Sequence, residues 1–268
     1  MAISQTCNGL LTAEARDFYC RVLATLTGAG IPALVGGAYA FARYTGIERH
    51  TKDFDIFLHR RDVGDALRAL HQAGWRTELT FPHWLAKAHC GDDFVDLIFS
   101  SGNGVAEVDD LWFAHAPEDH VLDTPARLIP AEEMIWSKSF IMERERFDGA
   151  DIAHVLRARG PELDWPRLLS RFGDKWRVLF GHLVLFGFVY PDERDRVPAW
   201  VLRDLMARLE QETATPPPPG RLCQGTFLSR EQYLADIECW GYRDARRVPG
   251  GTMTGADIER WTAAIEEK

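Results

Sequence analysis

The run Arg49-His50-Thr51-Lys52-Asp53-Phe54-Asp55-Ile56-Phe57 sets two carboxylates one residue apart in a stretch that otherwise reads as a strand. Side chains at i and i+2 of a strand share a face, so Asp53 and Asp55 lie side by side. Aspartate is depleted in strands, and two of them flank a single phenylalanine here. Like charges held this close repel, and folded proteins tolerate that mainly where a cation sits between them. Sixteen residues upstream of Asp53, Val35-Gly36-Gly37-Ala38 closes a short apolar run with a diglycine. Without Cβ atoms its backbone can approach a phosphate closely, and a helix starting at Ala38 would add its positive N-terminal end.

Working outward, Leu11 to Gly28 reads as a helix capped by Thr12, and Ile31 to Val35 as a strand entering the diglycine. Ala38 to Tyr44 has helical spacing. Asp53 to Leu58 is a second strand, and Arg61 to Ala73 an amphipathic helix stopped by Gly74. Trp75 to Thr80, Leu85 to Cys90 and Phe94 to Phe99 read as three further strands. In the last of these Asp96 interrupts a run that is otherwise apolar, as buried strands are. It is the natural third carboxylate beside Asp53 and Asp55, whereas Asp92 and Asp93 read as turn residues after Gly91.

From about residue 130 the pattern turns helical: Glu132 to Glu143, Phe147 to Arg159, Trp165 to Phe172, Lys175 to Phe188 and Ala199 to Gln211. Strands followed by a run of helices predict an α/β (α+β) domain at 1–128 and a helical domain at 129–215. Pro216-Pro217-Pro218-Pro219-Gly220 reads as a stiff linker into a C-terminal helical extension at 216–268. There Ser229 to Trp240 and Gly255 to Glu267 favour helix, with Ser229-x-x-Gln232 and Thr254-x-x-Asp257 resembling capping signals. The extension is dense in aromatic residues and arginine, which fits a structural latch and also suits stacking on a base or pairing with phosphate.

The composition is that of an ordinary globular protein, 46% hydrophobic and 26% charged over 268 residues. The net charge of -9 argues against coating nucleic acid by charge alone, which needs clustered Lys and Arg. Five scattered cysteines without C-x-x-C give neither a zinc site nor a disulfide framework, so no disulfide partner is expected. The N-terminus has no signal-peptide pattern, and the most apolar run, Val178 to Tyr190, is too short to span a bilayer. A cytoplasmic protein without a membrane partner is the expectation. The histidines show no metal-ligand spacing.

With these residues in place, the chain resembles the nucleotidyltransferase-fold superfamily, and specifically its minimal and abortive-infection-toxin-like branch written G-G-x-A … R-x-T-x-D-h-D. Gly36-Gly37-Ala38-Tyr39-Ala40 and Arg49-His50-Thr51-Lys52-Asp53-Phe54-Asp55 carry the resemblance, together with Asp96, over about residues 33 to 100. It implies a mixed sheet with flanking helices and a helical C-terminal domain. It further implies transfer of a nucleoside monophosphate from an NTP to an acceptor hydroxyl, with release of pyrophosphate.

In the superfamily the glycines, here Gly36 and Gly37, hold the nucleotide's phosphates. The D-x-D pair binds divalent metal, here two Mg²⁺ ions or Mn²⁺ at Asp53 and Asp55, and the third carboxylate, Asp96, binds metal or acts as general base. Ala38 stands where a serine is usual, so any hydroxyl contact falls to the backbone or to Thr51; Lys52 would help draw in the anionic nucleotide. A weaker match runs through Glu132 to Ile152. It makes Lys138 a candidate for the triphosphate, followed by Asp148 and Asp151 at i and i+3 of a helix start, where acids also favour the helix dipole. The acceptor could be a small molecule, a protein side chain or a tRNA end, and a toxin would bring an antitoxin partner. The alternative is an inactive protein of the same fold that binds nucleotide or a partner.

Overall fold

Alternation decides the central sheet. In β2 (Asp53–Phe57) the residues Phe54 and Ile56 are fully buried while Asp53 and Asp55, on the other face, are half-buried. The computed structural model describes residues 11–49, 51, 53–247 and 252–264, and over these the chain divides into two compact units. The first comprises residues 1–99 and 108–129, the second residues 100–107 and 130–268.

The first unit opens with α1 (Ala13–Gly28), whose Thr12 cap accepts a hydrogen bond from the Ala15 amide at 3.1 Å. It continues through β1 (Leu34–Val35) and α2 (Gly37–Thr45) into β2, followed by α3 (Val63–Gln72). Three strands follow, β3 (Arg76–Phe81), β4 (Leu85–Cys90) and β5 (Asp93–Ile98). They form one mixed sheet in the order β1-β2-β5-β4-β3, in which only β2 and β5 run parallel. Phe54, Ile56, Ala86, Ala88, Val95 and Leu97 are all fully buried on one face. Tyr19 of α1 stacks on Phe54 at 4.8 Å, and α3 packs on α1, β3 and β4. Burying a side chain such as Phe54 is worth about 2–3 kcal/mol, so this face fixes the register and leaves the other free for polar residues.

After β5 the first unit adds α4 (Asp110–Ala114) and an antiparallel pair, β6 (Glu118–Val121) and β7 (Thr124–Arg127). The sequence reading had no hairpin here. Its turn residues Leu122 and Asp123 both have positive φ, 52° and 61°, without the glycine that normally announces such a turn.

The second unit is helical: α5 (Ala131–Lys138), α6 (Gly149–Arg159), α7 (Trp165–Phe172), α8 (Trp176–Val189) and α9 (Ala199–Thr213). α5 packs on α6 and α7, α6 on α8, and α8 on α9. Its interior carries charge: Glu133 is fully buried and ion-paired to Arg167 and, at 2.9 Å, to Arg171. The residues after the exposed Pro216–Gly220 form β8 (Leu222–Cys223), α10 (Leu234–Glu238), β9 (Arg243–Asp244) and α11 (Gly255–Ala263). Thr254 and Asp257 make the expected capping box.

Two expected helices are shorter than the sequence suggested. The one starting near Glu132 stops at Lys138, because Met142 instead donates its amide to Leu228 and Glu143 takes the hydroxyl of Ser229. The one expected from Ser229 begins only at Leu234; Ser229 receives the Gln232 amide at 3.1 Å, a turn that stops short of a helix. Among the described residues no helix is long and apolar enough to cross a membrane, and Cys20, Cys90, Cys223 and Cys239 are free thiols.

Candidate active site

Register brings the acidic residues together. β2 and β5 pair in parallel with Asp55 opposite Asp96, and β4 pairs with β5 so that Lys87 stands opposite Asp96 on its other side. Glu78 of β3 is the next member of the row. Four adjoining strands thus set Asp55, Asp96, Lys87 and Glu78 side by side on the face turned away from the apolar core. One residue pair along, Asp53 stands opposite Phe94.

Each carboxylate is held by its surroundings. The Thr51 hydroxyl accepts the Asp53 amide at 3.2 Å and reaches the Asp53 carbonyl at 3.3 Å, so the threonine shapes the start of β2. Asp55 lies against Gly37, the first residue of α2. Gly37 has φ +52°, and a Cβ there would overlap the Asp55 carboxylate. The N-terminal end of α2 therefore faces a carboxylate, the arrangement its dipole favours. A Cβ on Gly36 would run into the Phe57 ring and Ile129, and the Gly36 amide donates to the Asp55 carbonyl at 2.9 Å. Both glycines thus have a packing reason inside the first unit.

Asp96 has a cation already. Lys87 Nζ lies 2.7 Å from Asp96 Oδ1 and 4.0 Å from the centre of the Phe94 ring, and both charged side chains are largely enclosed. Burial pushes the Asp96 carboxyl above the ordinary aspartate range; the hydrogen bond and charge of Lys87 oppose this, and the charge of Asp53 adds to it. Lys87 is the residue that reading the sequence missed. The signal was a lysine between two alanines in Leu85-Ala86-Lys87-Ala88, on the polar side of a strand, and only the cross-strand register gives it a partner.

For a divalent metal, the donor set is suitable in kind: Asp53 and Asp55 offer hard carboxylate oxygens on one strand face. Among the described residues, however, no three His, Cys, Asp or Glu side chains are arranged to hold a metal ion, and Asp96 is turned to Lys87. The D-x-D pair fits a cation, and Asp96 stands as an ion-paired neighbour.

The remaining expected residues fall elsewhere. Lys52 and His50 lie outside the described residues. Arg49 places its guanidinium 4.4 Å from the Phe41 ring centre. Lys138 belongs to the second unit, where its ammonium sits between Asp148 at 2.7 Å and Asp151 at 2.9 Å. Asp148 makes no capping hydrogen bond at the start of α6; it accepts from Arg146 and Lys138, which outweigh its burial and hold its carboxyl below the usual range. In the C-terminal segment Arg230 lies over Trp261 at 4.6 Å and pairs with Glu143 at 3.6 Å, Lys175 lies over Phe227 at 5.3 Å, and the buried Arg246 holds Asp244 at 2.7 Å, so the segment folds back on the rest of the second unit.

No family model matches the chain, and no curated protein matches it. Solved structures do. A solution structure of the antibiotic-resistance factor ANT(2'')-Ia is similar over 76% of this chain and 95% of its own, at 17% identity and TM-score 0.36. The lincosamide antibiotic adenylyltransferase LnuA, bound to lincomycin, is similar over 55% of this chain and 98% of its own, at 15% identity and TM-score 0.39. A nucleotidyltransferase-like protein from Paracoccidioides brasiliensis is similar over 76% and 91%, at 14% identity and TM-score 0.38. Superpositions this loose transfer no activity to the chain. With β2 and β5 parallel inside an otherwise antiparallel sheet, a glycine turn leading into α2, and aspartates on the two parallel strands, the first unit has a mixed α/β fold.

Proposed function

We propose that the protein is a metal-dependent nucleotidyltransferase that moves a nucleoside monophosphate from an NTP to an acceptor hydroxyl. The observation that carries the reading is the placement of Asp53, Asp55 and Asp96 on one sheet face, with Gly37 closed against Asp55. A bound Mg²⁺ or Mn²⁺ pair would neutralise phosphate charge and orient the triphosphate. Asp53 and Asp55 would hold the metal, and the Gly37 amide would face the phosphates with help from Thr51 and Lys52; Gly36, whose amide is bonded to the Asp55 carbonyl, would serve by leaving the turn without a side chain. Asp96, kept beside the pair by Lys87, is assigned the proton of the acceptor hydroxyl. The acceptor oxygen forms its bond to the α-phosphorus as the bond to pyrophosphate breaks. Lys138 is assigned an auxiliary role toward the triphosphate, which would require it to exchange its two aspartate partners for phosphate. The net charge of -9 favours a small-molecule or protein acceptor over tRNA.

The test is NMP transfer and pyrophosphate release with each NTP and Mg²⁺, comparing the chain with Asp53→Asn and Asp55→Asn. Loss of transfer by about 10³-fold or more is expected, the scale of removing a metal-held transition state. Full activity in either variant rules the assignment out. A toxin role predicts growth arrest on expression that the same two substitutions abolish.

A second reading rests on Lys87. A lysine paired to the third carboxylate is what a binding protein would use to settle that charge without metal. NTP affinity that is indifferent to Mg²⁺, with no pyrophosphate release across acceptors, would favour it. The substitution Lys87→Met separates the two readings, since it lowers transfer in an enzyme and leaves metal-free binding as the only measurable change in a binder.

A further inference from the structure

A pair of metal ions set about 3.5–4 Å apart needs carboxylates on both flanks, with the third acid turned toward the other two. In this chain the third acid is turned to a lysine. Lys87 reaches from β4 across β5, its Nζ 2.7 Å from Asp96 Oδ1 and 4.0 Å from the centre of the Phe94 ring. Asp96 and Phe94 are the β5 residues that stand opposite Asp55 and Asp53, so the ammonium lies over the strand beside the D-x-D pair. Register fixes it there as well as charge, since Lys87 is directly opposite Asp96. Only 20% of the Lys87 side chain and 14% of that of Asp96 are exposed. An ammonium so enclosed has given up water and needs its carboxylate partner, and the aromatic face beside it adds a second attraction. A dication bound by Asp96 would have to share that carboxylate with the ammonium, like charge against like. Asp53 and Asp55 remain, and one or two carboxylates completed by water and substrate phosphates are the usual holding of a single Mg²⁺.

We propose that Lys87 takes the place of one metal ion, so that the site works with a single divalent ion held by Asp53 and Asp55. This rests on the nucleotidyl-transfer reading and narrows its metal pair to one. One dication and one ammonium together balance the charge of the three carboxylates. Asp96 keeps Oδ1 on Lys87 and offers Oδ2 to the acceptor hydroxyl. It takes the hydroxyl proton as the acceptor oxygen bonds the α-phosphorus, and pyrophosphate leaves with the electron pair of the bond that breaks. Lys87 is a positioning residue in this step: it fixes the Asp96 carboxylate and supplies, on the acceptor side, a positive charge already in place before the reaction.

The test counts Mn²⁺ held by the full chain in equilibrium dialysis, with saturating α,β-methylene ATP, CTP, GTP or UTP, analogues that bind without turning over. One ion per chain is expected. Asp53→Asn and Asp55→Asn should each weaken its binding by at least about tenfold, whereas Asp96→Asn should leave it within about threefold of the parent. Lys87→Met frees Asp96 to act as a ligand and should raise the count to two. Lys87→Arg keeps the charge and should hold the count at one. Melting curves confirm that each variant folds. Two ions in the parent, a loss of about tenfold on Asp96→Asn, or a count that stays at one in Lys87→Met would each overturn the proposal. Failure of the underlying reading looks different, because Asp53→Asn and Asp55→Asn would then change neither the bound ion nor NMP transfer.

Discussion

The substitution Gly37→Ala tests the site at its narrowest point. Two independent costs meet there. Gly37 has φ +52°, where an L side chain clashes with its own backbone, for about 1–2 kcal/mol. The added methyl would also occupy the position of the Asp55 carboxylate, and forcing an atom into a filled site costs about 1–3 kcal/mol more. The expected loss of stability is about 2–5 kcal/mol, a large part of the ~5–15 kcal/mol that holds a typical domain.

Gly30 supplies the control. Its φ is +71° but a Cβ there meets nothing, so Gly30→Ala should carry the backbone cost alone, about 1–2 kcal/mol. Urea unfolding of both variants measures the difference. Pairing Gly37→Ala with Asp55→Ala closes the cycle: with the carboxylate gone, the steric part of the penalty should disappear. If Gly37→Ala costs no more than Gly30→Ala, or if removing the Asp55 carboxylate recovers nothing, then Asp55 does not lie against the glycine and the geometry assigned to the site is wrong.

Other consequences can be checked the same way. Glu133→Ala leaves Arg171 and one arm of Arg167 facing a vacated, fully buried position, and should destabilise the chain by about 3–5 kcal/mol in urea unfolding. His182 is buried with its Nε2 3.0 Å from the Ser139 carbonyl, and burial holds its imidazole below the usual histidine range. The unfolded chain therefore takes up the proton first, so this contribution is intact above about pH 6.5 and is lost as the pH falls below it. His182→Gln should flatten the stability profile between about pH 5 and 7, and an unchanged slope would contradict the assignment.

What could be read in advance depended on how local the deciding interactions are. β4 and α7 match their expected bounds because alternation in Leu85 to Cys90 and helical spacing in Trp165 to Phe172 are properties of single segments. The pairing of Asp55 with Asp96 was also within reach, since two strands with acids at matching positions in apolar runs have few sensible registers. Lys87 was not, because its meaning comes from a cross-strand neighbour nine residues away and lysine is usually a solvated side chain. The end of α5 at Lys138 was hidden for the same reason: the residues beyond it bond to Leu228 and Ser229, some 86 positions later in the case of Glu143. The β6–β7 hairpin escaped notice because Leu122 and Asp123 adopt a conformation their side chains do not advertise.

The short stretch 100–107, which leaves the first unit's strand β5 and belongs to the second, imposes an order on synthesis. Asn103 donates to the Phe227 carbonyl, 124 residues later, and the Gly104 carbonyl accepts from Thr252, 148 residues later. At a ribosomal pace of roughly 5–20 residues per second, those partners emerge about 6 to 30 seconds after the stretch itself. During that interval β5 can already pair with its neighbours and α4 can pack through Trp112 on Phe57, while Asn103 and the Gly104 carbonyl wait for their partners. A stop codon after Ile129 would make the wait permanent, so Phe227 and Thr252 act as a late signal that the stretch 100–107 can finish folding.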